Sequence, residues 1–375
     1  MWSESTQLNE REALIDAGGR TAADWNALLA PYRRPVLWRS TYQLVNTVVP
    51  LAVLWLIMLW SLGVGYWLTL LLALPAALLV VRMFLLQHDC SHAAFFRSLR
   101  ANNMVGAIIG VLTLVPYAYW RKTHAIHHAT SGNLDARRFG DIDTLTVREY
   151  LSRSRFKRVL YRIYRHPLVM LLFGPTFQFV IKHRLPLDTP RSWKREWRSV
   201  VWTNLALVAV IAGMGLIVGF DRFLMVQVPI TLIAGSIGVY LFYVQHQYQD
   251  TYWRYSEAWD YHAAGLLGAS HLVLPKILQW FTANIGLHHI HHVSSRIPNY
   301  NLQGCYDENS VLHGATRLTL GRSLRTLGLS LWDEDERRMV GFRDLQTVRP
   351  RIEQQLEKGE RIRPTKEDAV PRAWR

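Results

Sequence analysis

Three short stretches concentrate the side chains able to bind metal: "HDCSH" at 88–92, "HAIHH" at 124–128 and "HHIHH" at 288–292. The chain holds 15 histidines in all. His88 and His92 stand four apart, His124, His127 and His128 repeat the three-and-four spacing, and so do His288, His291 and His292. On a helix, residues three or four apart share a face with Cβ atoms about 5–6 Å from each other, so each group can aim two or three imidazoles at one point. One such group is ordinary helix-surface sequence. Three with the same logic point to a metal centre. Imidazole suits Fe, Zn, Cu and Ni, and eight or more ligands exceed what one tetrahedral zinc accepts, so two ions are implied. Soluble helical di-iron proteins use Glu-x-x-His pairs, and this sequence contains none. Asp89, Asp135, Asp141 and Asp143 lie near enough in sequence to orient ring nitrogens from behind. Asn284, four residues before His288, could hold a metal-bound water or cap a helix.

The elements that must carry these groups are apolar and long. Four segments, about 44–62, 66–86, 199–219 and 225–245, reach the roughly 20 residues a helix needs to cross a bilayer. They form two tight hairpins, joined by Gly63–Val64–Gly65 and by the residues around Asp221 and Arg222. The runs at 104–118 and 167–181 fall at or below spanning length with Gly or Pro inside, and read as re-entrant or surface-lying. Had 104–118 crossed, "HDCSH" and "HAIHH" would lie about 30 Å apart on opposite sides of the membrane. The expected fold is thus an all-α integral membrane protein: four transmembrane helices as two hairpins, with a cytoplasmic helical cap carrying a histidine-rich dimetal site. Its expected parts are an N-terminal cytoplasmic segment 1–43, a membrane domain 44–320 and a charged C-terminal tail 321–375.

Charge orients this arrangement. Of the 43 Lys and Arg, set against 28 Asp and Glu for a net +15, Arg222 is the one placed in an outer connection, so the histidine side is expected to be cytoplasmic. The polar, acid-bearing N-terminus lacks the pattern of a secretory signal. Lipid-length blocks favour anionic lipid or an acidic protein over nucleic acid as the partner of the basic charge. "REYLSRSRFKRVLYRIYRH" has the composition of a helix lying on anionic headgroups. Two cysteines, Cys90 and Cys305, expected on the reducing side, are not expected to bridge.

The three boxes, their order and spacing, and the paired hairpins resemble the integral-membrane fatty acid desaturases. "HDCSHAAFF" and "QWFTANIGLHHIHH" are most similar to the acyl-lipid delta-12 (omega-6) branch. The resemblance covers roughly 45–340. It implies two Fe ions, O2 as co-substrate and a long acyl chain as substrate, with a cis double bond as product. It maps the iron ligands onto His88, His92, His124, His127, His128, His288, His291 and His292, with His246 in "YVQHQYQ" as a further ligand. His289 falls on a variable position, and His166, His183, His262, His271 and His313 have no patterned partner and read as structural. Because no cytochrome domain fits in the first 40 residues, electrons are expected from a separate carrier, ferredoxin on the family pattern. The protein would sit in a bacterial inner membrane with both termini and the site cytoplasmic.

Removing hydrogens from unactivated methylenes leaves no work for a general base, so the metals carry the chemistry and the protein positions it. The same ligand set would serve a hydroxylase or ketolase acting on a lipid or hydrocarbon. "HDCSH" also stands one acid away from the HExxH of zinc metallopeptidases, but two further boxes exceed that need. A metal transporter would require polar groups at mid-span.

Overall fold

The computed structural model describes residues 20–137, 140–186 and 189–357. Residues 1–19 of the expected N-terminal segment and residues 358–375 of the expected C-terminal tail lie outside the described residues. A short helix α1 (Ala22–Leu29), capped by Thr21, precedes the first hairpin. That hairpin is α2 (Leu37–Ser61) and α3 (Tyr66–Ser91). Each is long enough to cross a membrane, as are the two long helices of the second hairpin. At 1.5 Å per residue these helices measure about 37–40 Å.

The expected spans fall on these helices to within a residue, but the helices run on. Nothing in the sequence breaks α3 at 86, so it continues to Ser91 with His92 as its C-cap. His88 therefore stands on the span's own last turns, not beyond it. α3 is the most buried of the four. Its Ala73, Ala76 and Ala77 are fully buried, and small residues let helix backbones approach closely. On α2, Val45, Val49, Val53, Leu56 and Trp60 face outward, an apolar surface for lipid.

The 104–118 run does not continue as one helix. α4 (Leu99–Leu112) and α5 (Tyr117–Thr130) meet at 104°. Leu114 adopts a left-handed φ of 60° and Val115 N–H donates to the Gly110 carbonyl at 2.7 Å, which folds the chain back. A Cβ on Gly110 would lie 2.4 Å from the Val115 carbonyl oxygen, so the turn needs glycine there. The bend returns "HAIHH" to the side that holds "HDCSH".

Beyond α5, the two-residue strand β1 (Leu145–Thr146) leads into α6 (Val147–Ser152) and α7 (Arg155–Tyr164). The basic run expected as one helix is thus two, because Arg153 is extended and Ser154 accepts from Lys157 N–H to start a new helix. Its ends are also engaged internally: Arg148 pairs with Asp335 at 2.8 Å, and buried Arg165 donates to Gln247 at 2.9 Å and to the Asp143 carbonyl at 3.0 Å. Two π-helical segments, Val169–Phe173 and Thr176–Lys182, follow.

The second hairpin is α8 (Lys194–Val218) and α9 (Phe220–His246), turned at Gly219, which has φ 91°. α9 likewise outruns its expected end and places His246 on its last turn. The remaining elements are α10 (Tyr261–Leu267), β2 (His271–Val273), α11 (Lys276–Phe281), α12 (His288–Val293), α13 (Asn299–Glu308), β3 (Arg317–Thr319) and α14 (Leu320–Thr326). Then come β4 (Leu329–Asp333), β5 (Arg338–Gly341) and α15 (Leu345–Glu357).

Two small sheets modify the all-helical expectation: β4 lies between parallel β1 and antiparallel β5, while β2 pairs in parallel with β3. The region expected as a tail from 321 is built into the first sheet up to α15. Leu331, Val340, Leu345, Val348 and Ile352 bury against Leu145, Val147 and Tyr150. Asp333, fully buried, accepts from Arg351 at 2.6 Å. Cys90 and Cys305 are both buried and unbridged.

Candidate metal centre

Four elements deliver the imidazoles: the end of α3, the second half of α5, the end of α9, and α12. Ring centroids of His88 and His124 lie 4.8 Å apart, those of His88 and His291 4.3 Å, and those of His92 and His128 4.7 Å. The nitrogens resolve into two sets. His88, His92, His124, His128 and His291 form one, and His127, His246, His288 and His292 the other, with the ligand atoms of each set all within 4.8 Å of one another.

Helix geometry explains the division. On α5, His128 stands about 40° to one side of His124 around the axis and His127 about 60° to the other, so His127 and His128 point about 100° apart. On α12 the assignment reverses: His288 and His292 enter the second set and His291 the first. Each of these two helices therefore serves both sets.

The donor atoms fit cations. His127 donates its Nδ1 proton to Asp141 at 2.5 Å, and His246 donates its Nδ1 proton to the Gly268 carbonyl at 3.0 Å. With Nδ1 donating in each ring, the two Nε2 atoms are the ones left to present a lone pair. Those two atoms lie 3.2 Å apart, and His288 Nε2 lies 2.9 Å from His246 Nε2. Converging lone pairs repel unless a cation sits among them. In the first set, His128 Nε2 lies 3.1 Å from His124 Nε2 and 3.0 Å from His291 Nε2, while buried His92 Nε2 has no hydrogen-bond partner. Burial, reinforced by neighbouring imidazoles, holds His124, His128, His291 and His292 well below the ordinary histidine range. They are neutral, which is the form that ligates.

The surroundings are apolar and aromatic. Trp120 stacks on His124 at 4.3 Å, and Phe242 packs at 5.2 Å from His127 and 5.4 Å from His246. These walls escaped the reading of the sequence, although each aromatic precedes a histidine of its own helix by four residues, the same-face spacing that marked the boxes.

Of the four aspartates considered, Asp141 reaches a ring nitrogen directly. Asp89 lies 3.7 Å from His88 Nδ1 and accepts from Asn299 N–H at 2.7 Å and from its side-chain amide at 2.8 Å. Asp135 accepts from Ser256 N–H, a loop contact. Asn284 has φ 57° and donates its amide to the Asn299 carbonyl at 2.9 Å, while Leu287 occupies the N-cap of α12. His289 is buried outside both sets, faces His271 and Tyr306, and is pushed down to about 3 by burial. His183 contacts Gln178, His262 stacks on Trp25, and His313 donates to the Tyr306 carbonyl. His166 and His271 also belong to neither set.

Spanning helices that end in two adjacent nests of buried imidazole define a class: a helical membrane protein built around a histidine site able to hold metal. The model of the fatty acid desaturase family matches residues 65–315, and the chain belongs to that family. A fatty acid desaturase of Bacillus subtilis (strain 168) is 45% identical over 320 residues, covering 85% of this chain and 90% of the relative. An sn-1 oleoyl-lipid 12-desaturase of Picosynechococcus is 26% identical over 60% of this chain and 63% of its own. The chloroplastic sn-2 acyl-lipid omega-3 desaturase (ferredoxin) of Helianthus annuus is 26% identical over 59% of this chain and half of its own. The protein is a membrane enzyme of lipid metabolism, a fatty acid desaturase.

Proposed function

We propose that this enzyme introduces a cis double bond into a long acyl chain of membrane lipid, of the delta-12 (omega-6) type, at a di-iron centre that uses O2. The observation that carries the reading is the partition of nine imidazoles into two adjoining sets of five and four. One iron would be held by His88, His92, His124, His128 and His291, the other by His127, His246, His288 and His292. The oxidising power needed to remove two hydrogens from an unactivated methylene pair is supplied, when the centre is loaded, by the irons and O2. The chain's own part is positional. Asp141 and the Gly268 carbonyl hold two rings with Nε2 turned inward, Trp120 and Phe242 exclude water, and the α4–α5 bend brings the second box to the first.

The histidine side is assigned to the cytoplasm, where the basic residues would meet anionic headgroups and an acidic electron carrier. A small carrier such as ferredoxin fits, since one relative bears that word in its name. Regiochemistry of the delta-12 type is supported by the oleoyl-lipid 12-desaturases among the relatives.

The test combines composition and product. Purified protein should hold two irons per chain, and expression in a host lacking polyunsaturated lipids should yield a new double bond at the twelfth carbon of oleoyl lipid. A hydroxy- or keto-acyl product, or active protein free of iron, overturns the reading.

A further inference from the structure

A cavity of about 600 Å³ opens between the first hairpin and the α11–α13 segment, and most of the residues lining it are polar although part of the wall belongs to spanning helices. Gln43 comes from α2, Arg82 from α3, Lys276 and Trp280 from α11, and Asn284 and Asn299 from the third-box region. Arg82 is the unusual member. It is 2% exposed and lies on a membrane-spanning helix, where a cation is costly and requires polar partners. Its Nε donates to Thr47 Oγ1 at 3.0 Å, one terminal nitrogen donates to the Trp280 carbonyl, and the guanidinium lies 4.1 Å over the Trp280 ring. Five N–H groups are available on a guanidinium. These contacts leave its second terminal nitrogen for a ligand. Among the described residues no carboxylate pairs with Arg82.

Lys276 adds a second positive charge on the same cavity. The lining holds one carboxylate, Asp307, which accepts from Gln303 at 2.8 Å and forms no ion pair with either cation. The balance favours an anion.

The cavity adjoins the imidazole sets. Arg82 precedes His88 by six residues on α3, about 9 Å along the axis. A hydrogen-bonded chain links wall to site as well. Gln43 and Asn299 exchange amide hydrogen bonds at 2.8 and 3.0 Å, and Asn299 donates to Asp89, which stands beside His88.

We propose that Arg82 and Lys276 hold the anionic end of the acyl substrate, a phosphodiester or a carboxylate, in this cavity, so that the chain attached to it is anchored beside the histidines. Charge-assisted contacts of this kind are the strong ones. The inference rests on the lipid-substrate reading above but names a site that reading does not require.

Binding to the purified full-length protein in detergent tests it without turnover. Three probes share the same oleoyl chain: dioleoylphosphatidylglycerol, oleate and uncharged dioleoylglycerol. At least one anionic probe should bind about tenfold or more tighter than dioleoylglycerol. Arg82→Gln and Lys276→Gln should each reduce that preference severalfold, and Arg82→Lys should restore part of it. The anionic probe that shows the Arg82-dependent preference identifies the source, phospholipid or free acid. Equal binding of all three by the wild type, or a preference unchanged in the Gln variants, overturns the proposal. Should Arg82→Gln fail to fold, exposed Lys276→Gln decides alone. A fatty-acid profile run in parallel separates the two readings, since a new double bond without anion preference removes this site and leaves the desaturase.

Discussion

At the scale of the residue, the two sets make unequal demands on their neighbours. His124 belongs to the set of five and His127 to the set of four, though both stand on α5. Replacing either by Ala removes one nitrogen from a different set, so His124→Ala and His127→Ala should each abolish desaturation while the protein still inserts in the membrane. Full activity in either variant would strike that residue from the ligands. Asp141 tests orientation instead of ligation. Its carboxylate fixes the His127 tautomer at 2.5 Å, and losing such a partner costs about 10–100-fold in metal affinity or activity. Asp141→Asn should therefore lower iron occupancy within that range, measured by metal analysis after dialysis against a chelator. Unchanged occupancy would reduce Asp141 to a loop anchor.

At the scale of the element, the α4–α5 bend and α7 carry separate roles. Gly110→Ala puts a Cβ 2.4 Å from the Val115 carbonyl oxygen, backbone that cannot step aside without opening the turn. Overpacking of this kind costs about 1–3 kcal/mol. A fall of several degrees in melting temperature together with lost iron is expected, because the same turn aims "HAIHH". A variant with wild-type melting and iron content would show that the bend tolerates a side chain. On α7, Phe156, Val159, Leu160 and Ile163 are exposed and apolar beside exposed Arg155 and Lys157, an amphipathic surface for anionic lipid. Neutralising Arg155, Lys157 and Arg158 to Gln should weaken docking of lipid or electron carrier and slow turnover while leaving iron content unchanged. Arg148 and Arg165 are excluded from that set, since both bond within the fold. Equal turnover in the triple variant would refute a docking role for this helix.

At the scale of the whole molecule, all the histidine-bearing helix ends must meet on one face. Single cysteines introduced at exposed sites beside the boxes, for instance at Arg97 and Ala125, should react with an impermeant thiol reagent from the same compartment, and that compartment should be the cytoplasm. Labelling from opposite compartments would dismantle both the fold assignment and the metal centre. The two native thiols are buried and leave little background.

The sequence by itself determined two things about this protein, each for a local reason. Blocks of apolar residues as long as a bilayer is thick can only be spanning helices, and three-and-four spacing of histidine sets a shared helix face whatever packs against it. From these came the four spans, the two hairpins and the boxes. Only the tertiary structure decided what depends on contacts between distant segments. Which histidine joins which set follows from α5 and α12 lying between both. The pairing of β1 with β4, Leu145 opposite Leu331, draws a charged segment that reads as a tail into a folded unit. Arg82 is one more cationic letter in an apolar run until Thr47, Trp280 and the cavity close around it. Helical periodicity gives the direction of a side chain; its partner is set by packing across the bundle, and no local pattern records that.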